Sequence, residues 1–151
     1  MKVFISGTAG FGGKNKKPMI DLPNEVKALI DRHIEAKNEI LVGDCIGIDL
    51  LVQKYLCSKN YKNVTVYHSG SKYRNCIDPS WTIKSVRVPY GVTGRDFYAV
   101  KDKQMAIDAD IGMAIWDGNS IGTGNNIANM RNMDKAVAVY RIDKQCFDHD
   151  N

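Results

Sequence analysis

Short runs of β-branched and aromatic residues recur along this chain at intervals wide enough to hold a helix. Residues 2–6, 39–42, 64–68, 111–116 and 136–141 each read as a strand, and 81–88 as a further extended segment. Between them, residues 23–37 place Val26, Leu29, Ile30, His33 and Ile34 on one helical face. Residues 48–59 do the same with Ile48, Leu51, Val52, Tyr55 and Leu56. Residues 95–108 and 121–133 read as two more helices, the first with weaker amphipathicity. Asp21 is placed to cap the first helix, ahead of Pro23. Strands joined through helices pair in parallel, and a parallel sheet has to be covered on both faces. The expected fold is therefore α/β, a mostly parallel sheet with helices on both sides.

Size and charge narrow the function classes. A chain of 151 residues supports one substantial core, here assigned to a single domain over residues 1–142 with a polar, frayed tail over 143–151. A net charge of +4 is a mild bias towards anionic ligands, too small for a dedicated nucleic-acid surface. The only basic cluster is Lys14-Asn15-Lys16-Lys17. No apolar run is long enough for a membrane span, and Val3-Phe4-Ile5 is too short for a secretion signal. Cys45, Cys57, Cys76 and Cys146 have neither zinc-site nor disulfide-framework spacing. Reduced thiols, a cytoplasmic location, and no metal or cofactor are expected.

Three loops that follow strands concentrate glycine and small polar residues, and in a parallel sheet all three lie at the carboxyl edge. The first, Ser6-Gly7-Thr8-Ala9-Gly10-Phe11-Gly12-Gly13-Lys14, matches neither a Walker A loop nor GxGxxG. It is either a plain connection or a close backbone approach to a ligand at Gly7 and Thr8, with Lys14 nearby as a point charge. The second, Gly43-Asp44-Cys45-Ile46-Gly47-Ile48-Asp49, runs from a strand into a helix, where free N–H groups and the helix dipole favour an anion. Gly43 and Gly47 allow a tight turn. Asp49 either braces that turn or touches ligand, and Asp44 is read as the freer carboxylate. The third, Trp116-Asp117-Gly118-Asn119-Ser120-Ile121-Gly122-Thr123-Gly124-Asn125-Asn126, carries more small polar residues than a helix cap needs. Ser120, Gly122 and Thr123 offer donors to a phosphate, with Asp117, Gly118 and Asn126 beside them. His68, at the end of a strand, is a weaker candidate for ligand contact. Lys72 and Arg74 lie in a polar loop read as solvated, the alternative being that they close over a ligand. Trp116 is either core or a stacking face for a base.

The second loop resembles the GGAxGxD signature of the SLOG superfamily. Lys101-Asp102-Lys103-Gln104-Met105, followed by Asp108-Ala109-Asp110, is similar to that group's R-N-x-x-M…AD segment. Asp117-Gly118-Asn119-Ser120-Ile121-Gly122-Thr123 resembles its W-D-G-x-S-x-G-T element. The resemblance implies a doubly wound Rossmann-like sheet of about five strands with a ligand at its carboxyl edge. It implies a phosphate at Gly122-Thr123, and pairing into a homodimer through helices that flank the site. The superfamily contains nucleotide sensors, enzymes that cleave N-glycosidic bonds and DNA-processing proteins.

Two departures from the pattern bear on which of these applies. The phosphoribohydrolases carry a glutamate where Asn126 stands, and an amide is no general base. Lys101 replaces an arginine and loses its planar fork, which Arg95 would have to supply. The leading expectation is a nucleotide-binding sensor or sequestering module. The alternative is an N-glycoside hydrolase acting on nucleoside monophosphates, with Asp117 or Asp44 as the catalytic carboxylate. Nucleic-acid binding ranks third, and no membrane partner is expected.

Overall fold

A computed structural model describes residues 1–9 and 19–148. The chain runs β1 (Lys2–Gly7), α1 (Asn24–Glu35), β2 (Glu39–Gly43), α2 (Ile48–Ser58), β3 (Val64–Ser69), β4 (Thr82–Val86), α3 (Gly94–Asp108), β5 (Ile111–Trp116), α4 (Ile121–Asn132), β6 (Val137–Arg141) and β7 (Cys146–Phe147). The strands form one seven-stranded sheet in the order β4-β3-β2-β1-β5-β6-β7. Every pairing is parallel except that of β6 with β7. The fold is thus α/β and Rossmann-like.

The strand pleat explains how the helices divide. On β1, Val3 and Ile5 pack into a core with Val26 and Ile30 of α1 and Val52 and Leu56 of α2. Phe4, between them, points the other way into a core with Met105 and Ala106 of α3 and Ile127 and Met130 of α4. Strands buried on both sides read as unbroken apolar runs, which is why 40–42 and 113–115 carry no polar residue.

Three expectations are corrected. The sheet has seven strands rather than about five, because the extended segment pairs with β3 as a parallel edge strand and the supposed tail adds a strand. Cys146 and Phe147 sit antiparallel to Arg141 and Tyr140, and the Phe147 ring meets Tyr140 edge-on at 5.2 Å. That ring contact is what an otherwise polar sequence conceals. Asp21 does not cap α1: Pro23 is the N-cap residue and no side chain caps the helix. Asp21 instead accepts from the Leu22 N–H and from Lys27 Nζ at 2.7 Å. Among the described residues, no helix is long and apolar enough to cross a membrane.

Candidate functional site

The chain builds outward from β1 through β2 to one side and from β5 through β6 to the other, so the strand order turns at the β1–β5 seam. Connections leave that seam in opposite directions and open a crevice at the carboxyl edge. A cleft of about 380 Å³ lies there. Its floor is Phe4, Ser6 and Gly7 of β1, with Ala9 just beyond. Cys45 and Asp49 form one wall. Arg95, Tyr98, Ala99, Lys101, Asp102 and Met105 of α3 form the second, and Ser120, Ile121, Gly122, Thr123 and Asn126 the third. Arg74 reaches in from the β3–β4 connection.

The start of α4 is the open wall. No side chain caps it, so its first N–H groups are available to a ligand. A Cβ placed on Gly122 would meet nothing within 4 Å. Thr123 is only 4% exposed, lines the cleft, and has no hydrogen-bond partner for its hydroxyl among the described residues. Below this start, the Asp117 carboxylate accepts from the Asn119 and Ser120 N–H groups at 2.8 and 2.7 Å, holding the turn in shape. Gly118 carries the turn past the Arg141 guanidinium.

The turn into α2 is filled instead. Gly47 adopts φ +84°, and a Cβ there would overlap the Ala9 carbonyl oxygen. The Ile48 N–H donates to the Thr8 carbonyl at 3.2 Å. A Cβ on Gly43 would stand 2.5 Å from Asp49 Oδ2 and 3.3 Å from Lys101 Cε, so this glycine lets both side chains come in against the strand end. Asp49 Oδ2 accepts from the Cys45 N–H at 3.3 Å, the bracing contact, and the residue also lines the cleft. Burial pushes its carboxyl up to about 7 against the pull of Lys101, with Asp102 and Asp44 adding to the rise.

Asp49 keeps the bracing part expected of it, whereas Asp44, expected to be the freer carboxylate, is paired. Asp44 is 2% exposed and takes Arg74 Nη2 at 2.7 Å and the Arg74 N–H at 2.8 Å. Burial works to raise its carboxyl, but these Arg74 contacts prevail and hold it below its ordinary value. Deeper in the cleft, buried Lys101 donates to Asp102 Oδ1 at 2.9 Å and to the Tyr98 carbonyl at 3.1 Å. Burial lowers the ammonium's affinity for its proton, yet Asp102 and Asp49 more than offset this and its pKa is raised. Asn126 Nδ2 donates to Asp102 Oδ2 at 3.3 Å, tying α4 to α3. The carboxylates facing the cleft are therefore Asp49 and Asp102, and neither Asp44 nor Asp117 lines it.

The β3–β4 connection is not a solvated loop where it meets the site. Gln53, fully buried on α2, donates to the Gly43 and Asn75 carbonyls at 2.9 and 3.2 Å and accepts from the Ile77 N–H at 2.9 Å. Asn75 Nδ2 donates to the Asp44 carbonyl at 2.9 Å. Arg74, so fixed, lays its guanidinium over the Tyr98 ring at 4.1 Å.

Of the residues singled out in the sequence, Gly7, Asp49, Arg95, Lys101, Ser120, Gly122, Thr123 and Asn126 line the cleft. Thr8, Gly43, Asp44, Gly47, Asp117 and Gly118 lie behind its surface as framework. Thr8 is a clasp: its N–H donates to the Ile115 carbonyl, and its hydroxyl accepts from the Asp117 N–H at 3.2 Å and meets the Ser120 hydroxyl at the same distance. Residues 10–18, Lys14 among them, and His149 lie outside the described residues. Trp116 is packed, donating Nε1 to the Ser120 carbonyl at 3.0 Å with the Arg141 guanidinium over its ring, and is absent from the lining. His68 is buried on β3 away from the cleft, with Nδ1 unpartnered and its ring edge-on to Tyr73.

Tyr98 and Asp102 were missed. Both fall on the α3 stripe Arg95, Tyr98, Ala99, Asp102, spaced i, i+3, i+4, i+7, and a helix with a second, polar face of that period is a legible sign of a site. Among the described residues, no group of acidic, histidine and cysteine side chains could hold a metal ion. No protein-family model matches the chain, and neither a curated protein nor a solved structure matches it.

Proposed function

We propose that this protein binds a nucleotide or nucleotide-derived ligand in the cleft at the β1–β5 seam, as a sensor or sequestering module, with a phosphate at the start of α4. The observation that carries this reading is the start of α4, which among the described residues has uncapped N–H groups, a glycine with space above it, and the Thr123 hydroxyl without a partner in an otherwise buried residue. Such a start supplies donors and a favourable dipole to an anion at no reorganisation cost. Arg95 adds positive charge on the facing wall, where Lys101 is already paired with Asp102. Helices α1 and α2 on one face and α3 and α4 on the other support a doubly wound sheet of the SLOG kind.

Thermal unfolding with nucleoside mono- and diphosphates, ADP-ribose and cyclic nucleotides tests the reading. A ligand at 100 times its Kd stabilises the fold by about 2.7 kcal/mol. At least one phosphate-bearing compound is expected to raise the Tm of the wild type and to lose most of that effect with Thr123→Val. No rise with any of them would refute phosphate binding in this cleft.

Asp49 and Asp102 favour a second reading, hydrolysis of the ligand's N-glycosidic bond. Asp102 as carboxylate would take the proton of an attacking water, and Asp49, held protonated to about neutral pH, would give one to the departing base. Release of free base from AMP or dAMP, abolished by Asp102→Asn, is the expected result under this reading. Release that survives that substitution overturns the part given to Asp102, and no release at all leaves binding alone.

A further inference from the structure

Arg74 is fastened more firmly than a surface arginine needs to be. Its guanidinium is paired with buried Asp44 at 2.7 Å, its Nη1 reaches Cys45 Sγ at 3.8 Å, and contacts of Gln53 and Asn75 pin the chain just after it. The ion pair satisfies its charge, which makes Arg74 a poor clamp for a phosphate. Arg95 has no ion pair among the described residues and suits that task better. What Arg74 still presents is a flat, weakly hydrated surface lying on the Tyr98 ring, and guanidinium and aromatic planes are the surfaces on which bases stack. Tyr98 is half exposed, and its hydroxyl makes no hydrogen bond to a described residue.

The pair also stands at the right end of the cleft. Helices α3 and α4 both start at the carboxyl edge of the sheet. Thr123 lies in the first turn of α4 and Tyr98 at the start of the second turn of α3, and the Asp102–Asn126 hydrogen bond joins the helices about one turn deeper. A ligand whose phosphate meets Thr123 crosses the gap above Asp102 and Asn126 before reaching Tyr98. Resting on the phosphate site proposed above, we propose that the Arg74–Tyr98 pair is the subsite for an aromatic ring, so that the ligand is a nucleotide held by its base at this end, not a sugar phosphate or an inorganic polyphosphate.

Calorimetric titration of the wild type, Tyr98→Phe and Tyr98→Ala with inorganic phosphate, ribose 5-phosphate and the monophosphates AMP, GMP, CMP and UMP tests this. The best of the four nucleotides is expected to bind the wild type about tenfold more tightly than ribose 5-phosphate. Tyr98→Phe keeps that preference. Tyr98→Ala erases it while leaving the ribose 5-phosphate affinity unchanged, which also shows that the variant is folded. Equal affinity for ribose 5-phosphate and every nucleotide in the wild type overturns the stacking subsite alone, as does a preference that survives Tyr98→Ala or a loss shared equally by all ligands. If neither ribose 5-phosphate nor any nucleotide binds, the phosphate site falls and the ring subsite falls with it.

Discussion

Two glycine-bearing turns lead from a strand into a helix in this protein, and they put the same local geometry to opposite uses. At the start of α2, the Thr8 carbonyl takes the Ile48 N–H, Gly47 packs under the Ala9 carbonyl, and the turn's carboxylates face Cys45 and Arg74. At the start of α4, Asp117 is drawn into the turn below, while Gly122 and Thr123 face open space. A glycine turn before a helix is thus an opportunity to bind an anion, and the neighbouring strand decides whether the opportunity is already filled. Here Thr8 and Ala9 fill the α2 start, and among the described residues nothing fills the α4 start.

The largest expected effect separates the two turns by stability. Gly47→Ala forces an L side chain into φ +84° and into the Ala9 carbonyl, and is expected to cost about 4 kcal/mol in urea unfolding. A loss under 1 kcal/mol would show that the α2 turn can relax, and would weaken the contrast at its base.

The next effect concerns pH. The Asp49 carboxyl is raised in the fold, so between about pH 4 and 7 the folded state holds a proton that the unfolded chain has released. Its protonated form is fully compatible with the fold at low pH, and this contribution to stability declines as pH rises through about 7. Asp49→Asn is expected to flatten this decline and to gain about 3 kcal/mol over the wild type at pH 8. Asp44 behaves in the opposite sense: its lowered carboxyl stabilises the fold above the unfolded value and loses that contribution only in acid. A wild type that loses no stability relative to Asp49→Asn as pH rises from about 4 to 8 would contradict the assignment for Asp49.

Smaller effects belong to the open turn. Thr123→Val removes one hydroxyl that has no partner among the described residues, so stability should change by about 0.5 kcal/mol or less, while affinity for a phosphate ligand falls about tenfold. Gly122→Ala adds a methyl into open space and is expected to leave the Tm within a degree or two, by about the same small free energy. If it abolishes phosphate stabilisation without moving the Tm of the free protein, the space above Gly122 is where the ligand sits.

The strand–helix alternation was legible because two-sided burial leaves unbroken apolar runs, and those runs matched β1, β2, β3, β5 and β6 to within a residue or so at each end. β7 was not legible, since its pairing depends on a tertiary ring contact between Phe147 and Tyr140. At the site, Thr123 and Asn126 could be read from the glycine-rich loop that opens α4, whereas Lys101 was singled out only through the family resemblance. Asp44 was misjudged because its partner, Arg74, comes from 30 residues away, and the freedom of a carboxylate is a property of what folds against it. Gln53 carried no signal at all. A lone glutamine on an amphipathic helix reads as solvent-facing, yet here it is fully buried with three hydrogen bonds.

That glutamine has a dynamic consequence. The β3–β4 crossover spans residues 70–81 without a helix, and such a stretch would ordinarily open to solvent independently of the sheet. Because one amide binds it to both β2 and α2, the Ile77 N–H should exchange with solvent only when the end of β2 separates from α2. Its hydrogen exchange would then keep time with the interior of the protein, and the wall of the cleft would open and close as part of the core.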